Sequence, residues 1–281
     1  HVEKGKLKNL DDIGNRRIGV YEGTINDAFV TKKYPHAEIK RFDNSADMFL
    51  SLKTKKIDAA FVDQVSAKLY LKSETELGIL SDKAFEKPLG IGFNKNNSDL
   101  RKKFNEFLKN TKADGSFDQM YKRWCVDDPN KAALPKLKVS QKNQVLKLGV
   151  TAIEDLPYVA FIEGKFVGLD IELLQKFAEK MGRRLEVVTM DFPALFAALI
   201  SGKVDMIADG LTITEERAKQ IDFSDSYLDY KAAVIARKDN IEITSVPKQS
   251  GKLKTLNDIA DKRVGVYAGS IHDAFVQKHF P

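Results

Sequence analysis

The chain has 281 residues, 43% of them hydrophobic and 31% charged, with 46 Lys and Arg against 40 Asp and Glu for a net charge of +6. That balance can bury a core and excludes a disordered chain, and no stretch reaches the roughly 18 consecutive apolar residues of a membrane span. The basic excess is scattered lysine without interleaved aromatics, which argues against nucleic acid. A single cysteine, Cys125, and histidines as far apart as His36 and His272 argue against an internal disulfide or a metal site.

Short apolar runs alternate with amphipathic stretches from the start, the pattern of βαβ units around a mostly parallel sheet. Residues 17–20 read as a strand, followed by a turn at Gly23 and a helix over 27–33. A strand near 37–40, a helix over 45–53 capped by Asn44 or Ser45, a strand over 58–61 and a helix over 64–71 complete a first α/β lobe. The stretch from 89 to 124 predicts a strand, a helix opened by Ser98, a break at Gly115 and a second helix ending at Trp124. Residues 126–144 carry two prolines and no periodicity and read as a linker. A second lobe follows: strand VLKLGV, a hairpin-like IEGKFVG, a helix over 170–181, strand LEVVTM, a helix over 192–200, strand VDMIA and a strand over 233–237. Nothing at the start has the charged-then-apolar form of a signal peptide, and a leader already removed is compatible with this.

The opening of the chain returns near its end. Residues 5–35 and 251–281 are identical at 19 of 31 positions at an offset of 246, and the differences are mild, such as Ile18 for Val264. A repeat of that strength over roughly one large domain predicts a natural tandem array out of phase with the chain: one full unit plus the opening of the next.

Residues 164–239, with VGLDIEL, MDFPALFAAL, GLTITEER and IDFSDSY in order, resemble lobe 1 of the type II solute-binding proteins for polar amino acids (family 3). The segments KNLDDIGNRRIGVYEGT, KKIDAAFVDQ and ADGSFDQMYKRW are similar to lobe 2 and the C-terminal helix of the same family, so the pieces appear in permuted order. The resemblance implies an α/β fold of two lobes with mixed, mostly parallel sheets flanked by helices, closing about a hinge over a ligand. It divides the chain into 1–88 as lobe 2 of a first unit, 89–125 as its returning strand and helices packing on lobe 1, 126–144 as linker, 145–238 as lobe 1 of a second unit, 239–250 as a hinge crossing and 251–281 as the start of another lobe 2. The two crossings are expected near 87–93 and 236–250. Residues 251–281 would stay loose, displace 5–35 or swap into a neighbour, which leaves a domain-swapped oligomer open.

The same resemblance implies the ligand contacts. Arg217 has the planar fork that pairs bidentately with a carboxylate and stands where relatives bind the ligand's α-carboxylate. Thr212 and the Gly210 carbonyl stand where relatives bind the α-groups, Asp63 matches the carboxylate that takes the α-ammonium, and Phe192 the stacking aromatic. Thr24, Asn26 and Tyr21 line the strand-to-helix turn of lobe 2, whose backbone N–H groups favour an anion. Asp155 and Asp209 lie at the side-chain end and would suit a cationic ligand, while Ala152 stands where such relatives carry a carboxylate; a neutral polar amino acid is an equal expectation. Each residue also has a plainer reading: Arg217 pairing with Glu216 or Asp222, Asp63 capping a helix, Phe192 and Tyr21 in a core.

The expected function is amino-acid binding by hinge closure in a bacterial periplasm or other extracytoplasmic space, partnered by the permease of an ABC-type transporter or by a sensor kinase or cyclase module, with no cofactor and no metal. Two other readings stand beside it: a cyclohexadienyl dehydratase-like enzyme, and a structural array without ligand.

Overall fold

The computed structural model describes residues 5–136, 143–151 and 156–242. Residues 1–242 form one compact unit and 243–281 a second; the repeat copy at 251–281, the 243–250 part of the crossing expected at 239–250, Ala152 and the candidate Asp155 all lie outside the described residues.

After a 3-10 turn whose Asn9 cap accepts from the Asp11 N–H, strand β1 (Arg17–Tyr21) leads to helix α1 (Ile25–Lys33) and then to β2 (Glu38–Phe42). Helix α2 (Ser45–Lys53) starts where the Asn44 side chain accepts from the Asp47 N–H, and β3 (Ala59–Asp63) runs directly into α3 (Gln64–Tyr70). A long strand, β4 (Leu77–Leu89), then crosses to the short β5 (Gly92–Phe93), α4 (Ser98–Ala113) and α5 (Ser116–Tyr121). The chain continues through β6 (Val145–Val150), the hairpin β7 (Ala160–Ile162) and β8 (Lys165–Val167), α6 (Leu169–Lys180), β9 (Arg184–Thr189) and α7 (Phe192–Ile200). Last come β10 (Met206–Ile207), α8 (Glu215–Gln220), β11 (Asp222–Phe223) and β12 (Leu228–Arg237).

These strands make two five-stranded sheets, ordered β2-β1-β3-β12-β4 and β11-β5-β10-β6-β9. Within the first, β1 pairs parallel with β2 and β3, whereas β12 lies antiparallel between β3 and β4 with Ala232 opposite Asp63. In the second, β6 pairs parallel with β9 and β10, and β5 lies antiparallel to β10 and β11. The fold is thus the two-lobed α/β arrangement expected.

Two expectations change. β12 begins at Leu228 rather than 233 and belongs to the first sheet, so the second crossing lies between β11 and β12, near 224–228, and not at 239–250. Its buried run Ala232–Ala236 needs two strand partners, and β3 and β4 supply them. β4 went unrecognised because it is a partly exposed edge strand whose LSDKAFEKP run lacks alternation, with Pro88 tolerated near its end.

The crossings run side by side. Leu89 bridges Thr212, the Gly90 N–H donates to the Leu211 carbonyl at 3.0 Å and that of Ile213 to Pro88 at 2.8 Å. From the other crossing the Ser224 and Tyr227 N–H groups donate to the carbonyls of Ile91 (2.9 Å) and Leu89 (3.1 Å).

The second lobe is closed by the helices that precede the linker. A single π turn over 122–126 follows α5 and turns Trp124 fully inward. Its indole N–H donates to Glu172 Oε2 at 2.8 Å, and Arg123 reaches both Glu172 oxygens at 2.7 Å, so a carboxylate only 1% exposed on α6 is held by two residues of that turn. Glu172→Ala strips the indole N–H and the guanidinium of their acceptor, and is expected to destabilise the protein by about 3 kcal/mol, measured by urea unfolding; Glu172→Gln is expected to recover part of the loss.

Candidate functional site

The candidate residues gather at two poles. At the first, Thr214 caps α8 by accepting from the Arg217 N–H at 3.2 Å, which sets Arg217 in the first turn. The guanidinium folds back so that Nη1 donates to the Thr212 carbonyl (3.0 Å) and hydroxyl (2.6 Å), and it lies 5.0 Å from the Phe192 ring centroid and 5.8 Å from that of Phe196. Cation–π contact of this kind holds the fork without neutralising it. No carboxylate among the described residues is in ion-pair range of Arg217, so the pairing with Glu216 or Asp222 does not form; Asp222 lies instead 3.5 Å from Arg101. Burial pulls Arg217 down to about 10, with Glu216 opposing. Across the lobes, a Cβ placed on Gly23 would stand 4.0 Å from the Phe192 ring, so the lobe 2 turn faces this pole.

The second pole is Asp63, at the β3–α3 junction. Its Oδ1 accepts from the N–H groups of Val65 (2.8 Å) and Ser66 (2.9 Å), so it caps α3, and Oδ2 accepts from the Tyr158 hydroxyl at 3.2 Å. Burial pushes its pKa up to about 6 against the pull of those three donors. The groups facing it are Tyr158, Tyr230, Tyr121 and Cys125, whose own ionisations burial pushes up, so all four are neutral. A carboxylate that faces only neutral titratable groups among the described residues is favoured by a cation.

Gly210 joins this pole from the opposite lobe. Asp170, fully buried on α6, accepts the N–H groups of Asp209 (3.0 Å) and Gly210 (2.9 Å), holding a turn in which both residues have positive φ. Burial pushes Asp170 also up to about 6, against the pull of the Gly210 N–H, the Tyr227 hydroxyl and the Asp209 N–H. Sequence reasoning missed Asp170 and Tyr158. Asp170 reads as an ordinary first-turn acid, and Tyr158 as one more core aromatic.

The other expected contacts fare differently. Thr24 turns its hydroxyl back to the Tyr21 carbonyl at 2.8 Å, and Tyr21 packs beside the cluster built on Met48, Phe49 and Leu52. Asn26 is only 2% exposed and donates to the Tyr230 hydroxyl at 2.7 Å, lying under the turn. Asp209 accepts from the Thr151 N–H and hydroxyl, so its carboxylate is engaged within its own lobe. Among the described residues no cluster of His, Cys, Asp or Glu could hold a metal, and no helix is long and apolar enough to cross a membrane.

The two-lobed α/β fold thus carries, on one lobe, a guanidinium with no carboxylate partner among the described residues and, on the other, a carboxylate that faces neutral groups. The family model of the bacterial extracellular solute-binding proteins, family 3, matches residues 21–127 and 148–264, and the chain belongs to that family. It is similar to the arginine-binding extracellular protein ArtP of Bacillus subtilis (41% identity over 107 residues, 38% of each chain). It is also similar to the ABC transporter glutamine-binding protein GlnH of the same organism (34% over 132 residues, 46% of this chain and 48% of that one). A solved ancestral arginine-binding protein bound to arginine shares 46% identity over 30% of this chain and 37% of its own, with a TM-score of 0.29. The chain spans half or less of the length of these proteins.

Asp63 and Asp170 fix a pH signature. Both have folded-state values near 6, above the ordinary value of 3.8, so the folded protein takes up protons that the unfolded chain does not. Their contribution to stability is present in full below about pH 4 and is lost as pH rises through 6. The ligand-free protein is therefore expected to melt at a higher temperature at pH 5 than at pH 7.5, and Asp63→Asn is expected to flatten that dependence in calorimetric scans. The lowered values of Asp27 and Asp58 act only at lower pH, outside this window.

Proposed function

We propose that the protein binds a free amino acid between its lobes, the α-carboxylate on Arg217 and Thr212 and the α-ammonium on Asp63 and the Gly210 carbonyl, with Phe192 against the ligand. The observation that carries this is the complementary pair itself: among the described residues, a guanidinium without an acid partner and a half-buried carboxylate that faces neutral groups, borne by opposite lobes. A zwitterion satisfies both at once, and because the two charges sit on different lobes it favours the closed state by differential contact. In this reading one lobe comprises residues 5–88 with β12, and the other comprises 89–125 with 145–223, the linker 126–144 joining two units of an array whose next lobe 2 opens at 251.

The ligand class is polar amino acids. The relatives named for arginine and glutamine support that range, and Asp155 is the side chain we assign to the choice between a cationic and a neutral ligand. Tyr21, Thr24 and Asn26 shape the lobe 2 turn beneath the carboxylate. The family description supports an extracellular setting, and the names of the relatives support delivery to an ABC transporter; a tandem array fits a membrane sensor equally. One observation favours the enzyme reading, the carboxylic acid at Asp63 titrating near 6, and it would be borne out by product from prephenate or arogenate.

Calorimetric titration with the twenty amino acids and ornithine tests the proposal. One class is expected to bind, and Arg217→Ala and Asp63→Ala are each expected to weaken it by roughly 3–5 kcal/mol, because each leaves a charge buried without its partner. Unchanged affinity in either variant would move the site elsewhere.

A further inference from the structure

We infer that Tyr158 is a positioning residue for the ammonium end of the ligand, its hydroxyl holding Asp63 on one lobe while its ring sets the approach of Gly210 on the other. This rests on the binding mode proposed above and adds to it a residue that touches both halves of the ammonium seat.

The side chain is built to do this. Tyr158 is 7% exposed, and its backbone is fixed by the start of α6, where the N–H groups of Leu169 and Asp170 donate to the carbonyls of Pro157 (2.7 Å) and Tyr158 (3.1 Å). Gly168 makes that approach feasible: its φ is 128°, and a Cβ there would collide with the Tyr158 carbonyl. Held so, the ring lies against Gly210, where a Cβ would come within 2.8 Å of Cδ2, so the ring and the Gly210 backbone are in direct contact. The same α6 turn supplies Asp170, which holds the Gly210 N–H from behind. The Gly210 carbonyl is therefore fixed by Asp170 and Tyr158 together.

On the other lobe the hydroxyl donates to Asp63 Oδ2 at 3.2 Å, and Ser66 Oγ, one turn into α3, donates to the Leu156 carbonyl at 3.1 Å. Oδ1 is already committed to the α3 cap. That leaves Oδ2 as the oxygen for an ammonium, with Tyr158 occupying one of its lone pairs and the ligand the other. The groups facing Asp63 are Tyr158 from the loop before β7, Tyr230 from β12, Tyr121 from α5 and Cys125 from the π turn; Asp170 on α6 faces Tyr158 and Cys125. None of these is a cation, so among the described residues the hydrogen bond from Tyr158 is the contribution from the opposite lobe that favours the ionised Asp63. Removing it raises the Asp63 pKa further and protonates the acceptor that the ammonium needs.

The test is the affinity for L-arginine and L-glutamine, whichever the protein binds, measured from pH 5 to pH 8.5 in the full chain. Wild-type affinity is expected to fall as pH drops through about 6. Tyr158→Phe keeps the ring against Gly210 and removes only the hydroxyl. It is expected to move the midpoint up by about one unit, so that binding is weaker by about fivefold at pH 6 and nearly equal at pH 8.5. The Asp63 carboxyl carbon signal of the ligand-free protein, followed by NMR, is expected to show the same upward shift. Curves for wild type and Tyr158→Phe that superimpose, or that run parallel at every pH, would overturn the inference. Wild-type affinity in Asp63→Asn would instead overturn the ammonium site itself, which separates the two failures.

Discussion

The antiparallel seating of β12 between β3 and β4 is the constraint on which the rest of the molecule depends. It inserts a strand from near the end of the described chain into a sheet begun by residues 17–63, and it brings the two crossings together so that 88–91 and 211–227 exchange backbone hydrogen bonds. It also fixes the carboxylate pole. Ala232 stands opposite Asp63, and Tyr230, on the same face two residues earlier, meets Asn26 from below α1.

The charge arrangement follows from that frame. Burial disfavours the charge of Arg217 even though its donors reach Thr212 and its face rests on Phe192, and Asp63 sits among phenols and a thiol that stabilise a negative charge weakly. Both groups are therefore kept in a state that a partner of opposite sign relieves, and the energy released on pairing is larger for the desolvation already incurred in folding. Asp170, at zero exposure, takes its two backbone donors from the Asp209–Gly210 turn, whereas those of Asp63 come from the first turn of α3.

Much of this was legible in the residues. The cap at Asn44, the strand–helix alternation through Asp63, the amphipathic α4 and the GLTITEER run each announce themselves locally, because helix caps and hydrophobic periodicity are short-range signals. The position of β12 and the whole of β4 were not legible, since an edge strand with charged residues on both faces carries no alternation and its partner lies some 150 residues away. Thr24 and Asp209 show the same limit at the level of single groups: residue type and motif bring them near the cleft, but a hydroxyl satisfied by Tyr21 and a carboxylate satisfied by Thr151 depend on turn geometry that no spacing encodes.

The π turn has one further consequence. The chain has a single tryptophan, and that turn places it at zero exposure against a carboxylate on α6, on the side of the second lobe built from residues on both sides of the linker. The protein thus carries its own optical reporter: indole emission reads the seam between the pre-linker helices and α6, apart from the cleft pole at Arg217. Detachment of that seam would expose the indole to water and shift its emission to the red, giving a signal for the packing of the pre-linker helices on α6 that is separate from any signal of ligand.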